Sequence, residues 1–117
     1  MKYSSSYTYD LKVGEKAEDW VTDLFGGIKK IEVKTDFLAH KTGNIFVEVY
    51  SRGNKSGITT TTADYWIYKI AKIDSAAIIP VARLRELVKR YYNGKFTKGG
   101  DDDTSLGVLI PLSEIYK

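Results

Sequence analysis

Two stretches of strict alternation constrain this chain more than anything else in it. In "IEVKTD", residues 31–36, Ile31, Val33 and Thr35 interleave with Glu32, Lys34 and Asp36. In "IFVEVY", residues 45–50, Ile45, Val47 and Val49 interleave with Phe46, Glu48 and Tyr50. A period of two predicts β-strands, here over about 30–37 and 44–51, each with an aliphatic side for the core and a second side that carries charge. The intervening "LAHKTGN" supplies turn chemistry, so the expectation is a hairpin. A slip of one residue would bury charge, which leaves only registers of one parity. In one of these Lys34 faces Glu48 and Asp36 faces Phe46. Two readings of the charged side stand together. It is the ordinary solvated side of an antiparallel pair, or it is built to hold a metal ion.

The remaining elements follow from local signals. "VGEKAEDWVTDLF", 13–25, predicts a helix with Val13, Ala17, Trp20, Val21, Leu24 and Phe25 on one face, stopped by the Gly26–Gly27 pair. Glu18 falls at the rim of that face. "SRGNKSG" reads as a turn. The threonines before "ADYWIYKI" suggest a cap, predicting a short helix over 61–70. "SAAIIPVA" predicts a buried strand, "VARLRELVKRYYNG" a helix ending at Gly94 with Leu84, Leu87 and Val88 toward the core, "KFTKGGDDDTS" a loop, and "LGVLIPLSEIY" a last strand. The order α-β-β-α-β-α-β predicts an α/β (α+β) protein, a mixed sheet flanked by helices. At 117 residues one domain over 1–117 is expected.

Composition narrows the function. No cysteine is present, so disulfide frameworks and thiolate metal sites are excluded, and a reducing cytoplasm is the simplest home. No apolar run approaches the roughly 20 residues of a membrane span, and "MKYSSSYTYDLKVGEK" lacks the apolar core of a secretory signal. A single histidine, His40 in a polar turn, gives no nucleophilic triad. No phosphate-binding glycine loop appears. A net charge of +3 permits a polyanionic partner without demanding one.

Asp36 and Glu48 are hard oxygen donors, and Glu18 arrives on the preceding helix. Such a set suits Mg²⁺ or Mn²⁺, which keep water ligands and bind substrate phosphates. Lys34, on the same face, would orient water or stabilise charge in the transition state. In the loop after Glu48, Arg52 and Lys55 suit contacts to a nucleic-acid strand, as does Lys41 in the turn between the two strands. The basic stretch Arg83–Lys98 reads either as a phosphate-contacting or as a solubilising face.

These motifs resemble the PD-(D/E)XK nuclease superfamily, with its restriction-endonuclease-like fold, in particular small phage-type or Holliday-junction-resolvase-like members. "GEKAE" at 14–18 resembles the first-helix G-x-x-x-E signature, Asp36 the motif aspartate, and Glu48 the acid of the next strand. "SGITTTTADYWIY" and "IIPVARLREL" resemble non-catalytic segments of small phage-type members. The resemblance implies metal-dependent hydrolysis of DNA phosphodiesters. Glu18, Asp36 and Glu48 would be the metal ligands, Lys34 the lysine, and a homodimer would act on branched or duplex DNA. The sequence departs from the pattern in placing Tyr50 where the superfamily has its lysine, which assigns Tyr50 to substrate contact. A second alignment takes "EVK" at 32–34 as the motif with Asp23 before it, and leaves Glu48 without a role.

Overall fold

The computed structural model describes residues 30–100 and 103–116. The expected helix over 13–25, with Glu18 and Asp23, lies outside the described residues. The described chain forms β1 (Ile31–Asp36), α1 (Ala39–Thr42), β2 (Asn44–Ser51), β3 (Asn54–Lys55), a 3₁₀ turn (Gly57–Thr59), β4 (Tyr65–Ile70), β5 (Ser75–Pro80), α2 (Val81–Tyr91), β6 (Thr97–Gly99), β7 (Ser105–Pro111) and α3 (Leu112–Ile115). It is a mixed α+β arrangement with two sheets rather than the single sheet expected. One sheet has the order β1-β4-β5, the other β3-β2-β7-β6.

The two alternating stretches are strands, but they do not pair with each other. β1 runs parallel to β4, with Val33 opposite Ile67 and Asp36 opposite Ile70. β2 runs antiparallel to β7, with Ile45 opposite Ile110 and Val47 opposite Val108. The expected hairpin fails at its connection. The chain after Asp36 closes one helical turn, α1, which ends at Gly43 in the left-handed conformation (φ 75°), where the Gly43 N–H donates to the Ala39 carbonyl. That turn carries the backbone out of the first sheet, and β2 joins the second. There its Ile45 and Val47 meet β7 residues of matching alternation and burial.

Residues 65–70 form a strand, not the expected helix. Trp66, Tyr68 and Ile70 are buried and alternate with half-buried Tyr65, Ile67 and Lys69. Aromatic and β-branched residues in this pattern suit a central strand, and β4 is central between β1 and β5. The threonine signal is real but local: Thr61 Oγ1 accepts from the Ala63 N–H and the Trp66 indole N–H without starting a helix. The expected loop over 95–105 contains the short strand β6, paired to β7. In α2, Leu84 and Leu87 are buried and Val88 half-buried, as the periodicity predicts.

One core joins both sheets and α2, built around Ile45, Val47, Trp66, Ile79, Leu84, Leu87, Val108 and Ile110. β2 presents its aliphatic side to this core, as expected. β1 does the reverse. Asp36 is buried and Glu32 and Lys34 are half-buried, whereas Val33 is 64% exposed among the described residues. The charged side of β1 turns inward because its groups are met there by partners, described below, so burying them leaves no charge uncompensated. No described helix is long and apolar enough to cross a membrane.

Candidate functional site

The inward turn of β1 brings Lys34 and Asp36 to the walls of a cleft of about 500 Å³, and the outward side of β2 brings Phe46 and Glu48 to the same cleft. Trp66 and Tyr68 from β4, Leu109 from β7, Phe37, Leu38 and Thr42 around α1, and Thr97 to Gly100 with β6 complete the lining. Asp36 and Glu48 thus share one cavity although they stand on different sheets. Lys34, Asp36 and Glu48, expected on the polar face of a hairpin, instead line one cleft from two separate sheets.

Asp36 is fixed by the backbone. Its Oδ1 accepts from the N–H groups of Leu38 (3.0 Å) and Ala39 (2.9 Å), and its Oδ2 accepts from the Phe46 N–H (2.9 Å). A carboxylate offers about four lone-pair directions, so one on Oδ2 remains after these three bonds. Glu48 is oriented by Ser105, whose hydroxyl donates to Oε1 at 2.7 Å. Among the described residues no hydrogen bond reaches Glu48 Oε2. Gly57 packs so closely on the Glu48 backbone that a Cβ there would overlap its carbonyl group, which fixes the strand at this point.

Lys34 is held by two contacts. Its ammonium pairs with Glu32 at 2.8 Å and lies 5.3 Å from the centre of the Trp66 ring. Glu32 also accepts from the Thr61 hydroxyl at 3.0 Å. Burial raises the Glu32 pKa, but the hydrogen bonds from Lys34 and Thr61 and the Lys34 charge outweigh it, and the net shift is downward. A carboxyl whose folded pKa is depressed stabilises the fold above its unfolded pKa, about 4.3, and loses that contribution as pH falls through the folded value. Wild type should therefore be more stable than Glu32→Gln at pH 7, with the gap closing at a pH low enough to protonate Glu32. Urea denaturation at the two pH values checks this, and a gap independent of pH would contradict it.

The field inside the cleft is negative at Tyr68. Its hydroxyl donates to the Phe46 carbonyl at 3.2 Å, and its pKa is pushed far above the usual tyrosine range by burial and by the charges of Asp36, Glu32 and Glu48. Asp36 and Glu48 have the hard donors and open lone pairs that Mg²⁺ or Mn²⁺ takes. Among the described residues, no group of three His, Cys, Asp or Glu side chains is placed to hold a metal; the third expected ligand, Glu18, lies outside them.

The other expected contacts stand apart from the cleft. Tyr50 follows a bulge in β2 and packs edge-on against Phe96, centroids 5.5 Å apart. Arg52 (φ 51°) is exposed in the turn beyond it, and Lys55 is exposed on β3. Lys41 is exposed on α1, between the cleft residues Leu38 and Thr42. His40, expected on the surface, is half-buried in α1. Sequence reasoning placed Phe46 opposite Asp36 but missed Phe37, Leu38, Trp66, Tyr68 and Leu109 as cleft residues. The period of "YWIYKI" would have placed Trp66 and Tyr68 on one side, had the segment been read as a strand. No family model, curated protein or solved structure matches this chain.

Proposed function

We propose that this cleft hydrolyses DNA phosphodiester bonds with a divalent cation, Mg²⁺ or Mn²⁺, held by Asp36 and Glu48 and completed by Glu18. One observation carries the reading: two carboxylates from separate sheets, each oriented by its own hydrogen bonds, line one cavity together with a lysine. Such an ion, when bound, polarises a phosphate oxygen and lowers the pKa of an attacking water. The chain's own residues supply the rest. Three backbone amides hold the Asp36 carboxylate rigid, and Ser105 aims Glu48. Lys34 brings a positive charge to the wall, where a phosphate oxygen competes with Glu32 for it. Arg52, Lys55 and Lys41 contact phosphates farther along the strand.

A specific observation favours a second reading, a DNA-binding module without turnover: Asp36 already serves the backbone, and Lys34 is already paired. Incubation with plasmid and branched DNA in Mg²⁺, Mn²⁺ or EDTA separates the two. Nicking or linearisation that requires the metal and disappears in EDTA is the expected result. Binding with no cleavage under any metal condition would select the second reading.

A further inference from the structure

We infer that the cleft receives an unpaired nucleotide, so that the substrate class is single-stranded or locally unwound DNA rather than closed duplex. This rests on the proposed hydrolysis only for the identity of the polymer; the argument for strandedness is separate. A duplex keeps its base faces stacked inside and offers base edges and phosphates, so surfaces that bind it are polar and cationic. The mouth of this cleft is neither uniformly polar nor uniformly charged. Among the described residues Phe37 is 71% exposed, Leu38 61% and Leu109 40%, and all three line the cleft. They share the cleft with Lys34 and Lys98.

An exposed aromatic ring, here Phe37, beside cations is the pattern that takes a base on its face and its phosphate on a lysine. The volume, about 500 Å³, is that of a site for a small ligand, of the order of 300–1,000 Å³, and suits one flipped-out nucleotide better than a groove across two strands. Phe46 is positioned for such a role from within. Its ring lies on Gly99 and Gly107, where an added Cβ would come within 2.7 Å of it, so any larger residue at either position would displace the ring. A base stacked on Phe37 would leave its own phosphate to Lys34 or Lys98, which line the same cleft.

The test is fluorescence anisotropy with the full chain in EDTA, using a labelled single-stranded oligonucleotide and the duplex of the same sequence. Single strand should bind about tenfold more tightly, and Phe37→Ala should remove about tenfold of that affinity while leaving duplex binding unchanged. Phe37 is exposed, so the variant should keep the wild-type circular dichroism spectrum. Phe46→Leu serves as a second variant, with the same expected direction. Equal affinity for both forms, or single-strand affinity untouched by both substitutions, overturns the inference, and does so even if duplex plasmid is cut. Tight single-strand binding with no cleavage in any metal upholds the inference and removes only the hydrolysis.

Discussion

Replacing Asp36 with alanine should unfold this protein at markedly lower denaturant and abolish metal-dependent cleavage at once. The carboxylate accepts three backbone N–H bonds that tie the end of β1, the start of α1 and the second sheet at Phe46. Each buried donor left without an acceptor costs about 1–3 kcal/mol. The Ala39 N–H bond is fully buried while the other two are partly wet, so a total of about 3–5 kcal/mol is expected. Asp36→Asn keeps one oxygen for the Leu38 and Ala39 amides and turns its own NH₂ toward Phe46. It should cost less, about 1–2 kcal/mol, yet lose cleavage as completely as alanine does, because the charge is gone. Urea melts and plasmid assays on both variants check this pair. Equal stability of Asp36→Ala and wild type would contradict the structural half, and full activity of Asp36→Asn the chemical half.

The second large effect is expected at Trp66. It is fully buried at the centre of the three-stranded sheet. Its indole N–H donates to Thr61 at 3.2 Å, its ring tilts against Tyr68 at 5.9 Å, and the Lys34 ammonium lies over it. Large-to-small substitution at such a site costs about 3–5 kcal/mol, against a total stability of about 5–15 kcal/mol for a domain. Trp66→Ala should therefore lower the melting temperature by roughly ten degrees or more. Trp66→Phe, which keeps much of the ring, should lose about half as much. Differential scanning calorimetry measures both; a Trp66→Ala melting temperature within a degree or so of wild type would rule out this packing.

Strand existence and facing were legible where a segment's own alternation decides them, as in Ile45, Val47 and Val49. Strand partnership was not. β1 finds its parallel neighbour β4 some thirty residues on, and nothing local to "IEVKTD" encodes that choice. The burial of its charged side was hidden for the same reason, because Thr61 meets Glu32 and Trp66 meets Lys34 only once β1 and the chain from 61 to 66 are adjacent. At 61–70 a threonine cluster looked like a cap, but the polar bonds of Thr61 serve a turn, and the aromatic alternation after it governs the backbone. The candidate site was legible at Lys34, Asp36 and Glu48 as residue types on alternating strands. Its apolar wall was not, because Phe37, Leu38 and Leu109 come together only through α1 and β7.

We propose that Asp36 and Glu48 hold a divalent cation in this cleft. Manganese binding, followed by electron paramagnetic resonance of free Mn²⁺ during titration, tests it without any substrate. The informative comparison is wild type against Glu48→Gln, whose amide oxygen still accepts from Ser105 and should leave the metal-free melt unchanged. Wild type should take up Mn²⁺ with a binding constant at least about tenfold stronger than the variant's, a difference of about 1.4 kcal/mol. Indistinguishable uptake by the two proteins, or none by wild type, would contradict the account.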